Sequence, residues 1–448
     1  MPDIRPPAGA LHILSVLRGS GHRALLAGGC VRDHLMGLPP GDWDIVTGAG
    51  PDEVSDLFER TVPIGARFGV VQVHIEGGVY EVAQFRREEA YLDGRRPSAV
   101  HPAGEKEDAL RRDFTINGMF FDPLAGEIID LVGGRKDIER RCVRAIGDPA
   151  ERFGEDHLRM LRAVRFAARF EYEIDPATFE AARRCAPLIR KTSAERVRDE
   201  LTMMLTGGHA DRALELLRET GLLKEVLPEA AAMAGVPQPP DEHPEGDVWT
   251  HTVMVLAQLT GPDGPNAPGL PLAWAALLHD TGKPETFTDT DRIRFRGHAA
   301  AGARRADEIL ERLNMPSVER GRICDLVRNH MKFIDAKEMR PATLKRFLRE
   351  PFFADLLELR RMDCLACHGN LETYDFCRDK LANLAEEDLR PARVLDGNAL
   401  AAMGFEPGPV FQEILSAVED EQLEGRVRTR EEAEAFVAEK FGDRKRPG

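Results

Sequence analysis

Leu25-Leu-Ala-Gly-Gly-Cys-Val-Arg-Asp-His-Leu-Met-Gly-Leu38, followed by Gly41-Asp-Trp-Asp-Ile-Val-Thr47, is the stretch that decides the fold. An apolar run ends on Gly28-Gly29 and gives way to helix-forming residues, which predicts a strand, a tight turn and a helix start. Backbone N–H groups at such a start suit a triphosphate. Arg32, one turn further on, adds a charge-assisted contact. Asp44-Ile-Val-Thr47 reads as the next strand, and side chains two apart on a strand share a face, so Asp42 and Asp44 are expected to point the same way. Two carboxylates so placed can bridge two Mg²⁺ ions, with nucleotide phosphates completing the coordination. An isolated Asp-x-Asp is most often a solvated turn. The glycine pair with Val31-Arg-Asp33 at this distance is what gives it chemical weight. Gly-x-x-x-x-Gly-Lys and Gly-x-Gly-x-x-Gly are both absent, which removes the P-loop and dinucleotide-fold readings.

Downstream, Asp156 and Arg159 stand three apart in a helical stretch and are expected to be neighbours on one helix face. An ordinary surface ion pair is the bland reading. The sharper one follows from their donors and acceptors. Adenine and cytosine each present an amino donor beside a ring-nitrogen acceptor, which a carboxylate and a guanidinium complement. Guanine and uracil present the reverse. Arg162, Arg165 and Arg169 continue that face opposite Met160, Val164 and Ala168. Their charge suits RNA phosphates, with a solvated basic face as the alternative. Arg112, in Arg111-Arg-Asp113, is the candidate for a phosphate or ribose contact. Glu81, on the β-like run 79–85, is the candidate third carboxylate, against an outward-facing strand glutamate.

Gly28-Gly29-Cys-Val-Arg-Asp33 with Asp42-Trp-Asp44 resembles the first motif of class II tRNA nucleotidyltransferases and bacterial poly(A) polymerases. Arg111-Arg-Asp-Phe-Thr-Ile-Asn117 resembles their second motif, Asp130-Leu-Val-Gly-Gly-Arg-Lys-Asp137 the third, Glu155-Asp-His-Leu-Arg159 the fourth and Ser193-Ala-Glu-Arg-Val-Arg-Asp-Glu200 the fifth. The resemblance covers residues 25–205 in the family's order. It implies a polymerase-β-like head, neck and body, Asp156 and Arg159 reading the incoming nucleotide, and arginines of the 159–169 run at the nucleotide site. Tyr91-Leu-Asp-Gly-Arg-Arg-Pro97 resembles the loop that enzymes adding only CC lack, which favours addition of the terminal A.

The second half carries His251, then Leu277-Leu-His-Asp-Thr-Gly-Lys-Pro284, His298, His330 and Asp363. Histidine and aspartate suit Mg²⁺ or a divalent transition metal. Asp280, adjacent to His279 at the end of an apolar helix, would be costly to bury unpaired. The order resembles the HD phosphohydrolase superfamily. The resemblance implies His251, His279, Asp280 and Asp363 as metal ligands, with His298 and His330 lining the site or holding a second metal. Cys364-Leu-Ala-Cys-His368 matches a haem-attachment pattern but overlaps the Asp363 helix and lacks an export segment. Buried free thiols are the better reading.

The fold class expected is α+β: a small nucleotidyltransferase head at 1–140, a helical neck and body at 141–235, an HD domain at 247–384 and a helical tail at 385–448. Val236–Gly246, rich in Pro, Asp and Glu, reads as a linker. No run reaches the ~20 apolar residues of a membrane span, and the N-terminus has no charged-then-apolar leader, so a cytoplasmic protein is expected. The net charge of −15 argues against indiscriminate nucleic-acid binding. Yet residues 157–198 hold ten Arg or Lys against five acids, a local basic face able to grip one shaped RNA. The expected activity is Mg²⁺-dependent addition of C, C and A from CTP and ATP to the 3′ end and acceptor arm of tRNA. A-only addition and poly(A) synthesis are the alternatives within the class. An HD phosphohydrolase with an inert head, and a non-catalytic RNA binder, are the alternatives outside it. The intact carboxylates count against both.

Overall fold

The computed structural model describes residues 5–65, 69–89, 94, 98–259 and 268–444. These fall into two compact units. One comprises 1–232 with 259–268 and 309–315, the other 233–258, 269–308 and 316–448.

The first unit begins with α1 (Ala8–Gly19), β1 (Ala24–Ala27), α2 (Gly29–Leu35), β2 (Ile45–Thr47), α3 (Pro51–Leu57), β3 (Thr61–Gly65), β4 (Val70–Ile75) and β5 (Gly78–Gln84). A short hairpin of β6 (Arg86–Glu88) and β7 (Val100–Pro102) follows, then α4 (Glu105–Leu110), β8 (Met119–Asp122), β9 (Glu127–Asp130) and α5 (Gly134–Glu139). Seven strands form one sheet in the order β3-β4-β5-β2-β1-β8-β9. Only β2 and β5 run parallel; the other neighbours are antiparallel. Alternation along the strands sorts the core. Leu26, Ile45 and Val82 share one face with Ile13, Leu14 and Leu17 of α1. Leu25, Val46 and Phe120 share the other with Ala109 of α4.

Helices dominate from there: β10 (Cys142–Val143), α6 (Pro149–Glu155), α7 (Arg159–Arg169), β11 (Glu173–Ile174), α8 (Pro176–Cys185), α9 (Ala194–Thr206), α10 (Ala210–Glu219), α11 (Leu222–Val226) and α12 (Pro228–Ala231). Asp148 caps α6 by accepting from the N–H groups of Ala150 and Glu151, with Pro149 in the first turn.

The second unit contains α13 (Val248–Leu256), α14 (Leu270–Leu278), α15 (Lys283–Thr286), β12 (Phe287–Asp289), β13 (Ile293–Phe295), α16 (His298–Arg312), α17 (Ser317–Asn329), α18 (Pro341–Leu348), α19 (Phe353–Ala366), α20 (Glu372–Asn383), α21 (Glu386–Leu389), α22 (Gly397–Ala402), α23 (Pro409–Leu423) and α24 (Arg430–Phe441). α14 is apolar on every side, and its residues from Pro271 to Leu278 are all buried, as a helix without a polar face must be. The last three helices have their own core around Leu400, Ile414, Val418, Val437 and Phe441. No described helix is long and apolar enough to cross a membrane.

Candidate active site and metal centre

In the first unit, β1 stops at Ala27 because Gly28 turns at φ +75°, a conformation that favours glycine. A Cβ there would also stand 3.0 Å from Nη1 of Arg112. The Gly28 N–H donates to the Met119 carbonyl at 3.2 Å. It is therefore not the bare donor expected from the sequence. Asp44 lies one residue before β2 rather than inside a strand, and its carbonyl accepts from the Ala27 N–H at 3.0 Å. The parallel register Ile45↔Val82 brings Glu81 alongside Asp44. Asp44 is exposed, yet its carboxyl pKa is raised. Desolvation by the surrounding chain is the largest cause, Glu81 and Asp42 add to it, and Arg112 opposes it. Three carboxylates thus share one electrostatic neighbourhood. They do not close into a trio spanning 4.8 Å, as groups in the second unit do.

Asp108, fully buried on α4, fixes Arg112 by accepting from its Nε and Nη2 at 3.2 and 2.9 Å. Arg32 is buried beneath the glycine turn. Its guanidinium donates to Asp33 at 2.8 Å and to Asn117 Oδ1 at 2.6 Å, and lies 5.1 and 4.9 Å from the rings of Phe166 and Phe170. Asn117 in turn donates to Asp113 at 3.0 Å. Asp113 accepts from Arg162 Nε at 2.8 Å, and Glu200 accepts from Arg165 at 2.6 Å. One chain of charge therefore links the quoted motifs, with Phe166 held among three guanidiniums.

The expected continuous helix through Asp156 and Arg159 is broken. α6 ends at Glu155, Asp156 is extended, and α7 starts at Arg159. The Asp156 carboxylate accepts from both terminal nitrogens of Arg196, at 3.1 and 2.8 Å, and from the Leu158 N–H. Arg159 donates to Glu155 at 2.6 Å and to the carbonyls of Arg152 and Arg111. The two side chains are organised separately, by Arg196 and by Glu155. The stretch Tyr91–Pro97, apart from Gly94, lies outside the described residues.

Asp113 supplies a pH test. Burial opposes its charge, but Arg162 and the hydrogen bonds from Asn117, Arg162 and the Phe114 N–H outweigh that and hold its pKa down at about 2, from 3.8. A carboxyl depressed on folding contributes stability that is present above its unfolded pKa and lost as pH falls through the folded one. We expect about 2 kcal/mol to disappear between about pH 4 and about pH 2. Urea melts of wild type and Asp113→Asn across that window should converge at the acid end. A constant gap between them would show that the carboxylate does not carry this term.

In the second unit the sequence-predicted residues converge. His251 Nε2 stands 3.1 Å from Asp363 and 3.9 Å from Asp280 Oδ2, and His279 Nε2 stands 3.2 Å from that same oxygen. On the other Asp280 oxygen, His298 Nε2 is at 3.6 Å and His330 Nε2 at 3.9 Å. His279, His298 and His330 each commit Nδ1 to a backbone carbonyl, of Ala276, Phe295 and Val327. His251 commits its Nδ1 to Glu245 at 2.7 Å. Every ring is thereby oriented with Nε2 inward, as second-shell partners orient metal-binding imidazoles. His251 Nε2 and His279 Nε2 are buried without a hydrogen-bond partner. Such atoms are costly unless an ion satisfies them, so the donor set fits divalent cations. His251, His279 and Asp363 form one group within 4.8 Å, and Asp280, His298 and His330 form another.

Burial opposes protonation of His251, but Asp363 and Glu245 push its pKa up to about 9. Burial and the charge of His279 pull His330 down to about 3. Asp280 and Asp363 are held well below the usual carboxylate range against burial, Asp280 by His279 and Lys283, Asp363 by His251.

Four residues here escaped the sequence reading. Lys283 donates to Asp280 and to Gln238, both at 2.7 Å. Arg360 holds the far oxygen of Asp363 at 2.9 Å. Gln238 and Glu245 lie in the stretch read as a linker. That stretch instead packs against the centre, because Glu245 gains two histidine donors, His251 and His243, there. The seven cysteines are free.

The chain offers two candidate sites: a sheet-borne carboxylate group around Asp44, and a buried histidine–aspartate cluster able to hold metal. Known domains match each part of the chain. Residues 24–144 match the poly A polymerase head domain, 171–233 the probable RNA and SrmB-binding site of polymerase A, and 248–366 the HD domain. The chain is thus similar in its first part to the poly A polymerase head domain and its RNA-binding region, and in its second part to the HD domain. It is 46% identical over 218 residues to the CCA-adding enzyme of Bacillus pumilus, covering 48% of this chain and 54% of that protein. The Bacillus subtilis CCA-adding enzyme is 43% identical over 48% of this chain and 55% of its own length. The matches span about half the length of these curated relatives. The crystal structure of Bacillus stearothermophilus CCA-adding enzyme in complex with CTP is similar over 98% of this chain and 99% of that one, with a TM-score of 0.75 and 28% identity.

Proposed function

We propose that the chain is a template-independent tRNA nucleotidyltransferase that adds C, C and A from CTP and ATP to the tRNA 3′ end. The observation that carries this reading is the cluster of Asp42, Asp44 and Glu81, with Arg112 acting on it from beside the Gly28 turn. The relatives called CCA-adding enzymes, one of them solved with CTP, support it. Asp42 and Asp44, with Glu81 as the third carboxylate, would hold Mg²⁺. When bound, the ions would favour the 3′-hydroxyl as nucleophile and stabilise the leaving pyrophosphate. Arg112 and the first turn of α2 at Gly29 would meet the triphosphate, with Gly28 shaping the turn and Arg32 holding it from below. Arg162 and Arg165 line the nucleotide site through their anchors Asp113 and Glu200. The test offers tRNAs ending at the discriminator base, at C and at CC, each with one nucleotide at a time, and sizes the products. Stepwise C, C, A supports the reading. Unlimited A or A alone assigns the related activities.

Asp156 and Arg159 are proposed to select the base. Their present contacts leave donors on Arg159 and an acceptor position on Asp156 for a Watson–Crick edge. Asp156→Ala removes the acceptor for the amino group of C or A and the repulsion against the carbonyl of U or G. A buried polar group left unpaired costs about 1–3 kcal/mol. The preference for CTP and ATP over UTP and GTP is therefore expected to shrink by roughly tenfold or more. Arg112→Ala should weaken all four nucleotides alike, because a phosphate contact carries no base information. Single-turnover incorporation of each nucleotide decides; a uniform loss in Asp156→Ala would leave this segment a scaffold and not a reader.

The histidine–aspartate centre is proposed to be a second, phosphohydrolase site. One divalent ion would be held by His251, His279, Asp280 and Asp363 and another by Asp280, His298 and His330, with a transition metal favoured by the imidazoles. Bound there, such ions supply Lewis acidity to a phosphoryl group and acidify water.

A further inference from the structure

The cavity that holds the metal centre continues well beyond it. Its volume is about 930 Å³, at the upper end of the roughly 300–1,000 Å³ of small-molecule clefts and far more than one phosphate group needs. Past the histidines and aspartates, its lining includes Arg292 and Arg296 on the β12–β13 hairpin and Met331 and Ile334 on the turn that follows α17. Arg294, between the two arginines, is committed to Asp291. Arg292 and Arg296 are exposed, and among the described residues neither guanidinium has a carboxylate partner. The hairpin is tied to the centre itself. Its Phe295 carbonyl accepts from His298 Nδ1 at 2.9 Å, and the Phe295 ring lies 5.3 Å from Lys283 Nζ. Ile334 is 57% exposed, a large apolar side chain left facing solvent in a charged cavity. Asp241 and Glu242, also in the lining, offer acceptors for sugar hydroxyls or base amino groups.

We propose that this site takes a nucleotide carrying two phosphates. One is a sugar phosphomonoester placed at the histidine–aspartate centre and hydrolysed there. The other is not cleaved and is gripped by Arg292 and Arg296, while the base lies on Met331 and Ile334. The proposal rests on the phosphohydrolase reading above. In the reaction the oxygen of water forms the new bond to phosphorus. The ester P–O bond breaks with its electron pair on the sugar oxygen, which takes a proton from that water, giving a sugar hydroxyl and inorganic phosphate. Two free guanidiniums can each give a charge-assisted, two-pronged contact to a phosphate that a neutral polar wall could not. The same chemistry is presented by a free nucleoside 3′,5′-bisphosphate and by a 3′-phosphorylated oligonucleotide end.

The test is calorimetric titration of the full-length protein in EDTA, where nothing turns over, with adenosine 3′-monophosphate, adenosine 3′,5′-bisphosphate and a 3′-phosphorylated trinucleotide. Wild type is expected to bind the bisphosphate roughly tenfold or more tighter than the monophosphate, and Arg292→Ala/Arg296→Ala to lose that advantage. Both arginines are exposed, so the variant should fold. Nucleotide bound by the head contributes equally to both proteins, so the difference isolates the cavity. An arginine-dependent advantage for the bisphosphate alone supports a free nucleotide as substrate; one shared by the trinucleotide supports an oligonucleotide end. Equal affinities in wild type, or an advantage that survives in the double variant, would overturn the proposal. Hydrolysis of p-nitrophenyl phosphate by the Mn²⁺-loaded protein separates the two layers, because that probe has no second phosphate. Turnover with equal affinities overturns the bisphosphate proposal and leaves the phosphohydrolase reading standing. No turnover of it or of the bisphosphate overturns the hydrolytic reading, and with it the proposal's chemical step.

Discussion

Asp44→Ala is expected to abolish nucleotide addition while leaving the protein folded. The side chain reaches solvent and the residue's structural contact is made by its backbone, whose carbonyl accepts from Ala27. Removing the carboxylate therefore costs the sheet nothing in hydrogen bonds. It also relieves repulsion from Glu81 and Asp42, the neighbours that raise the Asp44 pKa. A slight gain in melting temperature is accordingly expected. Chemistry should suffer in the opposite sense. A ligand to ions that stabilise both the attacking and the leaving oxygen is worth several kcal/mol of transition-state energy, which corresponds to a rate loss on the order of a thousandfold or more. Asp42→Ala should match it, and Glu81→Ala tests whether the third carboxylate takes part. The measurement is single-turnover CTP incorporation onto a tRNA lacking its last three nucleotides, with thermal melts run alongside. Near-wild-type incorporation by Asp44→Ala at ordinary Mg²⁺ would remove the carboxylate site from the reaction.

Much of the head was legible because its information is local. Strand, glycine turn and helix are written in one run of residues, and the Asp-x-Asp spacing follows at once. The strand boundary was misplaced by a residue because Asp44 joins β1 only through its carbonyl, which accepts from the Ala27 N–H, and the paired ladder starts at Ile45. Glu81 could only be a candidate, since its place beside Asp44 depends on the β2–β5 parallel pairing across more than thirty residues. The Asp156–Arg159 geometry failed for a different reason. Helical spacing suggested a direct neighbour pair, but the helix is interrupted between them, Arg196 from α9 takes Asp156, and Glu155, four residues back, takes Arg159. For Asp156 a long-range charge pair overrode the local spacing. Asp113, Asn117 and Glu200 stood inside the quoted motifs, yet nothing in their spacing announced that they brace the arginines and not the substrate.

The second unit shows the same division. Histidine and aspartate are conspicuous residue types, so the six candidate ligands, which the fold brings together, could be named from the chain alone. Their orientation could not, because it depends on backbone carbonyls that any residue supplies. The proline-rich stretch before α13 was misread because proline and acids usually mean a linker. Here the acid Glu245 is bound by two histidines, and Gln238 by Lys283, so composition pointed outward while specific hydrogen bonds drew the segment in.

The double variant His279→Ala/Asp280→Asn is expected to lose metal and hydrolysis together and to keep nucleotide addition. Asp280 is the residue on which both ligand groups depend: one oxygen faces His251 and His279, the other His298 and His330. Neutralising it removes the anion that makes two adjacent cations tolerable, and deleting His279 takes a nitrogen ligand from the first group. Asparagine is chosen over alanine because Lys283 is buried against Asp280 and would otherwise face an empty space. The amide oxygen and Gln238 still accept from it. Some loss of stability should remain, since a buried lysine deprived of its counter-ion costs about 3–5 kcal/mol in unfavourable cases. Lys283→Met added to the pair should restore part of it. Metal content is read by elemental analysis after dialysis, hydrolysis with p-nitrophenyl phosphate, and addition of C, C and A on tRNA. Hydrolysis should fall by on the order of a thousandfold, as for loss of a catalytic metal. The two centres share no residue, so addition should stay within about twofold, a difference of less than 1 kcal/mol. Metal retained at wild-type stoichiometry would refute the assigned ligands, and addition lost in step with hydrolysis would show that the two sites are not independent.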